Sequence, residues 1–214
     1  MAEFFSPLFR GVERSETEEM KSAGCLRQAG FSRGDIIFHR GDRVSELGII
    51  LSGSVHIESV DVLGSRSILN NTAPGQVFAE TYALCGEPMM VDAVAAEDCE
   101  ILFLRAEAIT ADAFAAASWQ GKLLHNILRA SVQKNLALSD RIFCTTPKTV
   151  RARVLTYLSG QAVKSGGNTF RIPFDRQQLA DYLNLDRSAL SKELGKMRDE
   201  GILEFYKNSF RLLR

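Results

Sequence analysis

Arg187, Ser188, Ser191 and Lys192 recur at helical spacing within the stretch Phe174–Gly201, FDRQQLADYLNLDRSALSKELGKMRDEG. They share that segment with Leu190, Leu194 and Met197, spaced as one apolar stripe of an amphipathic helix. The cations and hydroxyls are thereby left on the outer side, with the small Gly195 beside them. Such donors reach guanine O6 and N7, and small residues admit close approach to a phosphate-lined groove. The chemistry implied is recognition by hydrogen bonding. Bond-making chemistry has a weaker basis. A cupin-like metal enzyme needs two or three histidines and a carboxylate round a metal. His56 and Glu58 point the same way along a strand, but His39 and His125 are scattered and no HExxH spacing occurs. The reading is therefore a non-enzymatic one.

The elements that must hold these side chains can be read around them. Asp175 caps a first helix with Gln178 at the capping-box position, and Leu179, Ala180 and Leu183 give it an apolar face. Asn184 sits at a turn, where a short amide tolerates left-handed backbone. Asp186 caps the second helix, and Glu200-Gly201 ends it. Ile202–Tyr206, a Lys207-Asn208 turn and Ser209–Leu213 form a hairpin wing. A helix-turn-helix followed by a wing docks its second helix in the major groove of duplex DNA. Upstream, Thr145 or Thr146 caps a helix over Lys148–Leu158 with Pro147 in its first turn. Gly160–Asn168 reads as a loop, and Phe170-Arg171-Ile172 as a short strand.

The 214 residues allow two modest domains. Net charge is zero, yet residues 145–214 hold 13 basic against 7 acidic residues, and residues 1–144 hold 13 against 19. The basic part attracts phosphates and the acidic part avoids them. No apolar run reaches membrane-spanning length, and MAEFFSPLFRGVERSETEE is too acidic and interrupted for a signal peptide, which implies a cytoplasmic protein. Cys25, Cys85, Cys99 and Cys144 form no CxxC pair and are expected reduced, with Cys99 in a core strand.

Glycines at 34, 41, 53, 64, 75 and 86 punctuate short strand-like runs, the later ones eleven residues apart. The runs are Ile36–Phe38, Leu47–Leu51, Val55–Val60, Ser67–Leu69, Gln76–Phe78, Ala93–Ala95 and Ile101–Leu104, a pattern for a β-sandwich or jelly roll. Residues 1–30 lack it, with Glu16–Gln28 expected as a short leading helix. From Glu107 the period turns helical. Leu124, Leu128, Ser131, Asn135, Leu138 and Ile142 follow one another by 4, 3, 4, 3 and 4, a heptad seam for a homodimer. Its polar Ser131 and Asn135 can fix register or reach toward something bound nearby.

β-roll, long dimerisation helix, then winged helix-turn-helix: this order resembles the Crp/Fnr family of bacterial transcription regulators. RQQLADYLNLDRSALSKELGKMRDEGIL and PGQVFAETYALCGEPMM (Pro74–Met90) carry the resemblance, which covers nearly the whole chain. It implies an α+β protein with a cyclic-nucleotide-binding-like β-roll at 1–110, a dimerisation helix and hinge at 111–144, and a winged helix-turn-helix at 145–214. It places base contacts at Arg187, Ser188 and Lys192, with Ser191 on the same face. Ser188 stands where many relatives carry glutamate, so sequence preference should differ. Thr149, Arg151, Arg176, Lys196 and Lys207 become phosphate contacts, which position without specifying. The Pro74–Met90 segment looks like the family's phosphate-binding cassette and places Glu80, Thr81, Met89 and Met90 at an effector pocket with Ser131 and Asn135. Ala79 replaces the cassette's glycine, and Met89-Met90 stand where members that bind cyclic AMP carry an arginine pair. A buried phosphate needs a cation or several amide donors, so cyclic AMP is disfavoured. Only Cys25 lies among the N-terminal cysteine positions of iron–sulfur members, which disfavours a cluster. Haem stays open through Met89, Met90, His125 or a cysteine. The partners implied are palindromic double-stranded DNA, a second copy of the chain and, as a candidate, RNA polymerase. A regulator that acts without any ligand is the alternative.

Overall fold

A computed structural model describes residues 6–60 and 66–213. The turn expected at Gly64 and the first five residues of the N-terminal reading lie outside the described residues. The chain divides into two compact units, 1–131 and 132–214, with the division between Ser131 and Val132.

The first unit has a 3-10 turn at Pro7–Phe9, then α1 (Arg14–Ser22), β1 (Leu26–Phe31), β2 (Ile36–Phe38), β3 (Glu46–Ser52), β4 (Val55–Val60), β5 (Arg66–Thr72), β6 (Val77–Phe78), α2 (Glu80–Cys85), β7 (Asp92–Ala95), β8 (Cys99–Arg105) and α3 (Glu107–Thr110). The strands form two antiparallel four-stranded sheets, ordered β1-β8-β3-β6 and β2-β7-β4-β5, the two-layer roll expected. Ile50, Val55, Phe78, Ala93, Ala95, Ile101 and Phe103 fill one core, where Phe38 meets Phe78 and Phe103 with ring centroids 5.9 and 5.7 Å apart. Gly48 makes this packing possible, since a Cβ there would lie 2.2 Å from the Phe78 ring.

Two expectations fail in this unit. The leading helix stops at Ser22, and Gln28 belongs to β1, which pairs with β8. β1 buries only Leu26, so no alternating signature marks it. The helix expected to run on from Glu107 is also broken. Ala111 is extended (φ −80°, ψ 137°), a 3-10 turn occupies Asp112–Phe114, and α4 begins at Ser118, ending at Thr145. Phe114 turns to pack against Trp119, centroids 5.3 Å apart, so burial overrides the helix propensity of the alanines.

The second unit contains α5 (Val150–Ser165), β9 (Thr169–Arg171), α6 (Arg176–Tyr182), α7 (Arg187–Asp199), β10 (Leu203–Tyr206) and β11 (Ser209–Leu212). Here too the boundaries shift. Thr149 caps α5, its Oγ1 accepting from the Ala152 N–H at 3.1 Å, while Thr145 and Thr146 turn back to carbonyls of α4. α5 runs on to Ser165 with Gly160 inside it, so the loop shrinks to Gly166–Asn168. The wing hairpin is joined by β9 as a third strand. Val154, Leu158, Leu179, Leu190, Leu194, Met197, Leu203 and Phe210 form the core.

Candidate nucleic-acid interface

α6 and α7 form the reading unit. Asp175 accepts from the Gln178 N–H at 2.8 Å, and the Gln178 side chain accepts from the Asp175 N–H at 2.9 Å, which completes the capping box. Asn184 takes the left-handed conformation (φ 53°). Its N–H donates to Asp181 O, and the Leu185 N–H to Ala180 O at 2.9 Å, a Schellman close to α6. Asp186 stands at the cap position of α7, but its side chain makes no capping bond. Leu190, Leu194 and Met197 are fully buried. Arg187, Ser188, Ser191 and Lys192 are exposed, and their side chains make no hydrogen bond or ion pair among the described residues. The outer face expected from the spacing is thus free.

The expected phosphate contacts divide. Lys196 is exposed without an ion pair, and Lys207 is exposed at the wing turn. Thr149 is exposed; its oxygen serves the α5 cap and its hydroxyl proton stays available. Arg151 is engaged otherwise: Nε donates to Glu193 Oε1 at 2.6 Å, and Nη1 and Nη2 donate to the Glu200 carboxylate at 2.8 and 2.7 Å. Glu200, then Glu193, hold this guanidinium above its usual range. Arg176 lies half-buried over Phe205 and Phe210, 5.1 and 5.8 Å from the ring centroids. Burial first, then the charge of Arg187, push it below its usual range. Arg176 Nη2 also donates to Lys207 O at 3.5 Å. Lys148, exposed and without an ion pair, is a cation the sequence reading passed over.

At the cassette, Ala79 adopts φ 60° and ψ 5°, a left-handed geometry natural to glycine. Glu80 follows as the first residue of α2, with its side chain buried. Met89 and Met90, expected together at one pocket, face opposite ways: Met89 is 2% exposed and Met90 65%. The Met89 N–H donates to Asp42 O at 2.8 Å, and its carbonyl accepts from the Gly41 N–H at 2.7 Å, which fixes this alternation. Thr81 is exposed, as are Ser131 and Asn135. Burial pushes the thiols of Cys25, Cys99 and Cys144 up, leaving little thiolate.

Comparison with known proteins agrees with this geometry. The cyclic nucleotide-binding domain family matches residues 29–111, and the Crp-like helix-turn-helix domain family matches residues 152–214. The chain belongs to the Crp/Fnr family. A CRP-like cAMP-activated global transcriptional regulator of Mycobacterium tuberculosis is 26% identical, over 97% of this chain and 95% of its own. The cyclic AMP receptor protein of Thermus thermophilus is 27% identical, over 92% of this chain and 88% of its own. The solved structure of CprK complexed with OCPA shares the fold with a TM-score of 0.61 at 13% identity, covering 92% and 90% of the two chains. This Crp/Fnr member is thus a transcription regulator with a DNA-binding helix-turn-helix and a cyclic-nucleotide-binding-like domain.

In this Crp/Fnr regulator, α4 buries Trp119, Leu123 and Ile127 against the roll. About a quarter turn round the helix, Leu124, Leu128, Leu138 and Ile142 are 51–62% exposed. Val132, Leu136 and Phe143 are also exposed and widen that stripe. The seam reading missed these three, although Leu128, Val132 and Leu136 repeat at i+4 spacing. No helix among the described residues is long and apolar enough to cross a membrane. His56 Nδ1 lies 3.7 Å from Glu58 Oε1, and no third metal-ligand side chain joins them among the described residues.

Proposed function

We propose that the chain acts as a homodimer that binds palindromic DNA through α7 and responds to a signal other than cyclic AMP in its N-terminal roll. One observation carries the DNA reading. Arg187, Ser188, Ser191 and Lys192 stand free on α7, whereas Arg151 and Arg176 are held by neighbours. Arg187 and Lys192 then read base edges, with Ser188 and Ser191 beside them. Thr149, Lys196, Lys207 and Lys148 hold phosphates. The exposed stripe of α4 supports pairing with a second copy, which sets two α7 helices one helical turn of DNA apart. The three-part division at 1–110, 111–144 and 145–214 is the functional counterpart of this scheme. A cytoplasmic location and contact with RNA polymerase go with it.

Cyclic AMP is set aside on chemistry. Where the cassette would offer cations to a phosphate, one methionine is buried and the other exposed. A thioether is at best a weak acceptor and donates nothing.

The test starts from a random duplex pool. The full-length protein should enrich a sequence with two related half-sites about 10 base pairs apart. Lys192→Ala should lose about 1–3 kcal/mol of discrimination at one base pair per half-site. Equal weakening on every duplex would remove Lys192 from base reading. Added cyclic AMP should leave the affinity unchanged.

A further inference from the structure

Arg153 is absorbed by none of these roles. It sits on α5, two residues from Arg151, and its guanidinium donates to three backbone carbonyls. Nε donates to Pro147 O at 2.8 Å, and Nη1 to Asn184 O at 2.9 Å and Leu183 O at 3.2 Å. These carbonyls come from two separate places. Pro147 belongs to the connection between α4 and α5, and Leu183 and Asn184 form the turn that launches α7. The Schellman close of α6 leaves the Leu183 and Asn184 carbonyls without a helical partner. The cap of α7 does nothing to hold the turn, since Asp186 makes no side-chain bond there. Asn184 takes its left-handed conformation (φ 53°) through its own short amide, but that local preference does not fix where the turn sits against α5.

We propose that Arg153 is a positioning residue for DNA reading: one guanidinium pins the helix-turn-helix turn to the α4–α5 connection and so sets the angle at which α7 leaves it. Arg151, from the same helix, holds Glu193 on α7 and Glu200 at its C-cap. α7 is thus gripped near both ends by arginines of α5. A tilt of about 10° at the turn would carry Lys192 sideways by about 1.5 Å, since the six residues from the α7 cap to Lys192 span about 9 Å. That exceeds the tolerance of a base-edge hydrogen bond. Lysine cannot replace the fork, because one ammonium offers its donors from a single point. The inference rests on the DNA-binding reading of α7.

The experiment uses the full-length protein, the duplex it enriches from a random pool and a scrambled duplex, each across a salt series. Wild type, Arg153→Met, Arg153→Lys and Lys192→Ala are compared below their melting midpoints. Arg153→Met should cut the ratio of enriched to scrambled affinity on the order of tenfold, the size of one charge-assisted hydrogen bond. Its salt slope should stay that of wild type, and Arg153→Lys should fall between. A slope reduced by about one unit per site would make Arg153 a phosphate contact and overturn the proposal. So would an unchanged ratio in Arg153→Met, or in Arg153→Lys should the methionine variant not fold. Lower melting with an intact ratio would reduce Arg153 to a structural role and overturn it equally. Failure of wild type to enrich any sequence would instead sink the DNA-binding reading, and this proposal with it.

Discussion

Ala79 shows what one methyl group costs. The cassette's turn into α2 needs a left-handed residue, and Ala79 occupies it at φ 60°. An L-residue is penalised there by about 1–2 kcal/mol. Glycine removes that strain but loses about 0.5–1 kcal/mol to its freer unfolded chain. Ala79→Gly should therefore stabilise the protein by about 0.5–1 kcal/mol, read as a rise in the urea midpoint at constant slope. A lower midpoint would mean the turn is unstrained. At this scale the sequence was readable wherever a residue's role is set by its own helix. The free face of α7, the buried stripe beneath it and Asn184 in its turn follow from spacing and side-chain chemistry alone. Arg151, Arg153 and Arg176 were not readable, because their partners lie 6–49 residues away and four of them are carbonyls with no sequence identity. A cation in a basic region looks free until the fold supplies its acceptor.

Glu16 binds two elements of the first unit together. Its carboxylate accepts from Lys122 Nζ at 2.7 and 2.8 Å and from the Ser118 hydroxyl, both on the first turns of α4. Asn126, one turn on from Lys122, donates to the carbonyls of Leu8 and Arg10 at 2.9 and 2.8 Å. The Lys122 bond, then the Ser118 bond, hold Glu16 down to about 2 from its ordinary 4.5. A depressed folded pKa contributes stability that is present above pH 4.5 and lost as pH falls toward 2. Wild type should lose melting temperature more steeply over that range than Glu16→Gln. Parallel curves would show the clasp contributes nothing. Elements marked by turns and alternation, β2 to β8, were legible. β1 and the break before α4 were not, since each is decided by what packs against it. Gly160 misled in the opposite direction, because an exposed glycine can sit within a helix whose other residues are held by the core.

For the whole molecule, the exposed stripe of α4 is the feature with the largest consequence for assembly. Seven apolar residues between Leu124 and Phe143 are more than half exposed in the single chain. If the proposed homodimer forms through this stripe, Leu128→Lys should raise its dissociation constant about 10- to 100-fold, from lost apolar burial and a charge facing its own copy. Sedimentation should show the variant shifting to monomer at concentrations where wild type stays paired. An unmoved equilibrium would place the contact elsewhere.

All three histidines, His39, His56 and His125, precede residue 132, so the unit that ends in the wing has none. Its one cysteine, Cys144, is buried and pushed above its ordinary range. That unit therefore lacks the one side-chain type whose ordinary range spans neutral pH. Should acidity inside a cell alter promoter occupancy, the proton would have to act on the histidine-bearing half of the chain.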